Sequence, residues 1–178
     1  MVVWVKMDIT LLSNNSLKIK DKKATVVIDP QKETPKISAD CVILTSKDAE
    51  PSRVTDSRVL IEGAGEYEVG GLKITGINFG DKTAYVLTSD RTEAFLAKAS
   101  TVENTTEKIR DYPVAILNAD SGLNQTVITA LEPRLLILYG EKAKEGAKVL
   151  GKENVSIVSK YSFSEDKLSE EMEVVVLG

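Results

Sequence analysis

Three acidic residues, Asp48, Glu50 and Glu66, are the side chains in this sequence whose type and spacing could support chemistry. Together they could supply an oxygen-only site for a hard cation such as Mg²⁺ or Ca²⁺. Such sites need several converging carboxylates, so a solvated loop is the interpretation we favour. Glu66 and Glu68 share one face of a predicted strand, which fits a polar outer face better than an acid/base pair.

The sequence contains no histidine and a single cysteine, Cys41. The absence of histidine excludes Ser-His-Asp and Cys-His catalysis, and one thiolate cannot build a zinc site. A lone cysteine cannot form an internal disulfide, which indicates a reducing compartment. Because Cys41 lies in an apolar run, we predict an inert thiol in the core.

The charge balance is slightly acidic, with 23 Lys plus Arg against 27 Asp plus Glu and a net charge of −4. A protein that neutralises phosphates normally carries a basic excess, so nucleic acid is an unlikely partner. No apolar stretch approaches the roughly 18 residues of a membrane span, and the apolar start is too short for a signal peptide. These features predict a cytoplasmic protein with no membrane association and one domain over residues 1–178.

The order of elements predicts a β-rich first half and an alternating second half. Short apolar or alternating runs predict strands, and these cover residues 2–7, 9–13, 16–20, 24–29, 40–45, 59–61, 66–69, 72–77, 84–88 and 94–97. Further strands are predicted at 114–118, 135–139, 155–158 and 173–177. Helices are predicted at 102–110, around 123–131 with Asp120 or Ser121 as the cap, and at 141–150.

Several segments, in order, resemble the metallo-β-lactamase superfamily, and in particular its small hydrolase-like branch. They are residues 9–19 (ITLLSNNSLKI), 24–30 (ATVVIDP), 40–45 (DCVILT), 62–76 (EGAGEYEVGGLKITG) and 131–138 (LEPRLLIL). The most specific is 62–76, which is similar to a Gly-Pro-Gly-Glu-Tyr-Glu-Val signature of that branch. The resemblance implies an α/β fold of the metallo-β-lactamase type: an αββα sandwich of two mixed β-sheets with few outer helices.

The resemblance also locates the family's metal site, where histidines and aspartates at strand ends hold ions that generate a hydroxide nucleophile. The positions that match this site are expected to form a vestigial cleft in which every histidine is replaced. They are Asn14, Ser46, Asp48, Glu50, Pro51, Lys98 and Gly140. The final histidine of the family could match Tyr139 instead of Gly140. Proline offers no side-chain ligand, and a lysine would repel a cation. The resemblance therefore implies a degenerate member with no zinc and no other cofactor.

Two functions of different classes remain open. The first is a non-catalytic pseudo-hydrolase that acts as a binding or scaffold module on an unidentified protein partner or on itself. Few helices would leave part of a sheet uncovered, which predicts a homo-oligomer, most simply a homodimer. The alternative is a hydrolase or ligand-binding domain with a rebuilt site of Asp48, Glu50 and Glu66, aided by Lys47 or Lys98. A raised carboxylate pKa in a closed pocket would favour this alternative.

Overall fold

The computed structural model describes residues 6–178, so most of the strand predicted at 2–7 lies outside the described residues. The strands of the described part are β1 (Lys6–Ser13), β2 (Ser16–Lys20), β3 (Thr25–Ile28), β4 (Ile37–Ser38), β5 (Cys41–Leu44), β6 (Val54–Thr55), β7 (Val59–Glu62), β8 (Gly65–Val69), β9 (Leu72–Phe79), β10 (Lys82–Ser89), β11 (Thr92–Lys98), β12 (Val114–Asn118), β13 (Leu135–Tyr139), β14 (Ile157–Val158), β15 (Lys160–Ser164) and β16 (Glu173–Leu177). The α-helices are α1 (Ala99–Val102), α2 (Gln125–Leu131) and α3 (Ala143–Val149).

Two mixed sheets contain nearly all of these strands. The first sheet has six strands in the order β15-β1-β2-β3-β5-β7, with parallel pairing only along β3, β5 and β7. The second sheet has eight strands in the order β14-β16-β13-β12-β11-β10-β9-β8, and its parallel half runs from β11 to β14. The prediction of two mixed sheets is confirmed, and β4 and β6 form a separate parallel pair.

The main hydrophobic core lies between the two sheets, and a second core lies on the outer face of the second sheet. Strand β11 shows why its sequence is a continuous apolar run. Ala94 and Leu96 belong to the core between the sheets, whereas Phe95 and Ala97 belong to the outer core. Because alternate residues of a strand face opposite sides, a strand that is covered on both faces must be apolar throughout.

All three α-helices of residues 6–178 contribute their buried side chains to the outer core of the second sheet, through Val102 of α1, Leu131 of α2 and Ala147 of α3. On β2 the outward residues Lys18 and Lys20 are polar, as expected for a sheet face turned toward water. The few outer helices that the resemblance implies are confirmed. No helix of the described part is long and apolar enough to cross a membrane.

Three local predictions are wrong. The helix predicted at 102–110 instead ends at Val102, and isolated turns follow, in a segment whose Asn104 and neighbouring threonines compete with helical hydrogen bonding. Helix α2 is capped by Asn124, whose side chain accepts a hydrogen bond from the Thr126 N–H at 2.9 Å, and not by Asp120 or Ser121. Strand β15 was not predicted, because its sequence KYSFS has weak apolar alternation.

Candidate functional site

Three parallel strands of the second sheet end side by side and place one row of polar side chains between the sheets. Lys98 of β11 pairs in register with Asn118 of β12, and Asn118 pairs with Tyr139 of β13. Register partners in parallel strands point to the same face. Leu96, two residues before Lys98, belongs to the core between the sheets, so this row faces the first sheet.

Asp29 ends β3 on the opposing first sheet and is 1% exposed. Its carboxylate accepts hydrogen bonds from the Thr45 N–H at 2.7 Å and the Ser46 N–H at 3.0 Å, and it also accepts one from the Thr45 hydroxyl. Burial raises the pKa of Asp29, while these hydrogen bonds and the charge of Lys98 act in the opposite direction. Asp29 therefore holds the loop that follows β5 and lies in the electric field of Lys98.

Asn118 links the two sheets at the middle of the row. Its amide nitrogen donates to the side-chain oxygen of Asn15, in the turn after β1, at 3.3 Å. Its own side-chain oxygen is buried and has no hydrogen-bond partner among the described residues. A Cβ atom at Gly140 would overlap this oxygen. Next to Asn118, the pKa of the buried Tyr139 hydroxyl is raised well above its usual value by burial and then by the charge of Asp29.

Tyr85 of β10 joins the two loops that form one side of the site. Its hydroxyl accepts a hydrogen bond from the Gly63 N–H at 2.9 Å and donates to the Leu44 carbonyl at 3.1 Å. The Tyr67 hydroxyl donates to the Gly63 carbonyl at 3.3 Å. A Cβ atom at Gly76 would lie 2.5 Å from the same carbonyl oxygen. The segment 62–76 thus fixes the turn 63–65 against the end of β5.

A cleft of about 410 Å³ opens where these strand ends meet. It is lined by the end of β5 and the loop after it, the end of β7, the turn between β9 and β10, the end of β11, helix α1 and the loop after β12. The lining residues are Leu44, Thr45, Ser46, Lys47, Glu62, Gly63, Asp81, Lys82, Thr83, Lys98, Ser100, Thr101 and Asp120. The Ser100 N–H donates to Asp120 at 3.0 Å, and the Ser100 hydroxyl donates to the other oxygen of that carboxylate. The Lys82 ammonium donates to the Ser100 carbonyl at 3.1 Å.

The residues predicted for the vestigial cleft are only partly brought together. Ser46 and Lys98 line the cleft, and Gly140 lies against Asn118. Asn14 is exposed, and its neighbour Asn15 makes the contact with the row. Pro51 begins a 3-10 turn. Asp48, Glu50 and Glu66 are exposed and do not line the cleft.

Asp29 and Asn118 are the residues of the site that the sequence did not single out. Asp29 was visible only as the end of a strand before Pro30, and Asn118 only as the last residue of an apolar run. Their importance depends on which strand ends become neighbours across the sheets. The sequence feature that could have located them is their position, since each is a polar residue at the end of an apolar run. Polar residues at the ends of parallel strands collect at one edge of a sheet.

The fold and the cleft define a two-sheet sandwich of the metallo-β-lactamase type. The profile of the β-lactamase superfamily domain family matches residues 8–99, which is just over half of the chain, and the chain belongs to this family. The comparison with curated proteins gave no match.

Three solved structures share the fold over nearly all of their length. One is a Thermotoga maritima protein described as a Zn-dependent hydrolase of the metallo-β-lactamase superfamily, with a TM-score of 0.73, 19% identity, and coverage of 96% of this chain and 98% of that one. A Parabacteroides distasonis protein described as a metal-dependent hydrolase has a TM-score of 0.63, 14% identity, and coverage of 98% and 94%. Igni18, a metallo hydrolase from Ignicoccus hospitalis, has a TM-score of 0.58, 12% identity, and coverage of 89% and 98%.

The donor set of the cleft does not fit the metal ions of this family. Its polar side chains are hydroxyls, carboxylates and three lysines, and histidine is absent from the chain. Within residues 6–178, no group of three His, Cys, Asp or Glu side chains is arranged so that it could hold a metal ion. The carboxylate site expected as an alternative, Asp48 with Glu50 and Glu66, is therefore not assembled as a cation site.

Proposed function

We propose that the chain is a non-catalytic member of the metallo-β-lactamase superfamily, a pseudo-hydrolase that acts as a binding module. The observation that carries the proposal is the placement of Lys98. The resemblance assigns this position to a ligand that bridges two cations, and here the residue is a half-buried lysine that lines the cleft. A fixed positive charge opposes cation binding at this position.

The surroundings of Lys98 support the same proposal. Asp29, the nearest buried carboxylate, already accepts three hydrogen bonds from Thr45 and Ser46. A carboxylate engaged in this way holds a loop and does not line the cleft. Burial is the main reason that the pKa of Asp29 is raised. Burial raises the pKa of a structural carboxyl group as well as that of a catalytic one.

The alternative with a rebuilt carboxylate site receives less support from the geometry. The Glu50 side chain accepts a hydrogen bond from the Ser52 hydroxyl at 2.6 Å on the surface. Asp48 and Glu66 are exposed. Acid/base catalysis needs a carboxyl group that reaches the bound substrate, and these three lie outside the lining of the cleft.

The proposal is tested by measuring metal content and hydrolysis together. The purified chain is equilibrated with Zn²⁺, Mn²⁺ or Mg²⁺, passed over a desalting column and analysed for metal by mass spectrometry. The same samples are incubated with a β-lactam, a phosphodiester and a thioester. We expect no stoichiometric metal and no turnover above that of Lys98→Ala and Ser46→Ala variants. Stoichiometric metal, or turnover that either substitution abolishes, would overturn the proposal.

We further propose that the chain forms a homodimer through β7, one of the two edge strands of the first sheet. Strand β7 ends that sheet, and its Leu60 is 54% exposed. An uncovered edge strand presents unpaired backbone groups that a second copy can pair with. The edge strand β14, although its Ile157 is also exposed, has only two residues and offers less to pair with.

Light scattering after size exclusion at micromolar concentration tests the dimer. We expect twice the monomer mass for the native chain and a monomer for Leu60→Glu. The matched control is Val149→Glu, since Val149 is similarly exposed at 48% but lies on α3. A monomeric native chain, or equal effects of both substitutions, would count against association through β7.

A further inference from the structure

Among the charged residues that line the cleft, Lys98 is half-buried and the others are exposed. The side chain is half-buried, yet within residues 6–178 it makes no ion pair within 4.0 Å and no side-chain hydrogen bond. All five ion pairs of the described part lie elsewhere in the molecule. A partly desolvated charge gains more from a partner than a fully hydrated one does. Asp29 interacts with Lys98 through its charge but makes no ion pair with it within 4.0 Å and does not line the cleft, so the ammonium can still accept an incoming anion.

The other charges of the cleft lie at its rim and nearly balance. Lys47 and Lys82 are exposed, as are Glu62 and Asp81. Exposed charges are screened by water and salt, so they contribute little to the selection of a ligand. Asp120, the remaining carboxylate, already accepts two hydrogen bonds from Ser100. The half-buried charge among the lining residues is thus the positive charge of Lys98.

The shape of the cleft fits a small molecule. Its volume of about 410 Å³ lies within the range of ordinary small-ligand sites. Ser46 lines the cleft, and its backbone N–H is held by Asp29 at 3.0 Å. Its hydroxyl accepts a long hydrogen bond from the Asp48 N–H, which leaves its own proton available to a ligand oxygen. A cation and a hydroxyl donor that line the same cleft can both bind an oxyanion.

We propose that the cleft binds a small ligand with a single oxyanion group, a carboxylate or a phosphate, and that Lys98 is its counter-ion and Ser46 a hydrogen-bond donor to it. This inference rests on the proposed function, since it requires a cleft that binds without cleaving. Lys98 supplies one half-buried positive charge and the exposed rim charges nearly balance, so a monoanion matches the cleft better than a polyanion does. The family's metal is replaced here by a cation that belongs to the chain.

The test is titration calorimetry with acetate, malonate and inorganic phosphate as probes, at constant ionic strength maintained with chloride. We expect a dissociation constant of about 1 mM for the preferred monoanion. Lys98→Met weakens binding by about tenfold to a hundredfold, as expected for loss of a charge-assisted hydrogen bond. Lys98→Arg retains binding, and Lys144→Met, on the exposed face of α3, is the matched control.

Each result has a defined meaning. Preference for acetate over phosphate assigns a carboxylate ligand, and the reverse assigns a phosphate ligand. Binding of no probe, or equal binding by the native chain and Lys98→Met, would overturn the inference. If Lys98→Met does not fold, loss of binding in Ser46→Ala together with retention in Lys98→Arg decides the same question. Turnover of an ester would refute the proposed function instead, so the two failures are distinguishable.

Discussion

Asn118 fills with its side-chain amide the space that any side chain at position 140 would need. Asn118 is the last residue of β12, and Gly140 directly follows the neighbouring parallel strand β13. Gly140 has a φ of +93°, a conformation that residues with a Cβ atom rarely adopt. Position 140 is where the resemblance places a metal-binding residue of the family. A histidine at position 140 and Asn118 in its present position exclude each other, so the residue types at these two positions are structurally coupled.

This coupling predicts the effect of Gly140→Ala. Alanine is unfavourable at the positive φ of position 140, and its Cβ atom would also overlap Asn118. We therefore expect the substitution to lower the free energy of unfolding by about 2–4 kcal/mol. When Asn118 is also replaced by Ala, the overlap no longer contributes to the loss of stability caused by Gly140→Ala, and only the cost of the positive φ remains. Urea denaturation of the two single variants and the double variant measures the difference. Strict additivity would show that Asn118 does not occupy this space.

Tyr85→Phe is expected to destabilise the cleft wall. It removes the hydroxyl between Gly63 and Leu44, leaving the N–H and the carbonyl without their partner, which costs about 1–3 kcal/mol. Tyr67→Phe is the matched control, because its bonds of 3.3 Å to Gly63 and Ala64 are long and partly exposed. Amide hydrogen exchange at Gly63 reports the local effect. Equal losses of stability in both variants would contradict this role of Tyr85.

The raised pKa of Asp29 predicts that the stability of the fold depends on pH. Burial raises its pKa in the folded state above the usual 3.8, so the charged form is disfavoured by folding. Its favourable contribution is complete below the unfolded pKa and is lost as the pH rises through the folded pKa. Asp29→Asn keeps an oxygen that can accept from Thr45 and Ser46 but cannot ionise. The stability of the variant relative to the native chain should therefore rise from about pH 3 to about pH 7.

Urea denaturation across that range tests this dependence. A control at Asp56, which is exposed, should show no comparable trend when it is replaced by Asn. A relative stability of Asp29→Asn that falls with increasing pH would mean that the hydrogen bonds of Thr45 and Ser46 outweigh burial.

Cys41 is expected to resist thiol reagents in the folded chain. It is fully buried, and burial, with a smaller effect from Asp40, raises its pKa to about 12. Because the thiolate is the reactive form, labelling at about pH 8 should be slow and should speed up in urea. Rapid labelling of the folded chain, at the rate of a free thiol, would show that β5 opens readily.

The strands with the clearest apolar runs could be predicted to the residue. Strands β12, β13 and β16 match the predicted ranges, because a strand covered on both faces must be apolar along its length. Strand β15 was missed because it is an edge strand that needs little apolar character. The helix predicted at 102–110 had the right spacing, but its residues also favour turns.

The site was less predictable than the fold. The resemblance located Ser46 and Lys98, since both directly follow recognisable strands. It could not locate Asn118, whose role depends on β12 lying between β11 and β13. It placed Asp48 and Glu50 in the site, whereas the loop after Ser46 turns them into solvent. Register and loop direction are set by contacts distant in sequence, which motif spacing does not contain.

Strand β8, which carries Glu66 and Glu68, is the outermost strand of the second sheet. Uncovered outer strands are starting points for aggregation, and charged side chains on them oppose it by repelling an identical strand. Two carboxylates in five residues give this strand such protection. Replacing both with uncharged residues would therefore raise the tendency of the chain to precipitate at high concentration while leaving the cleft intact.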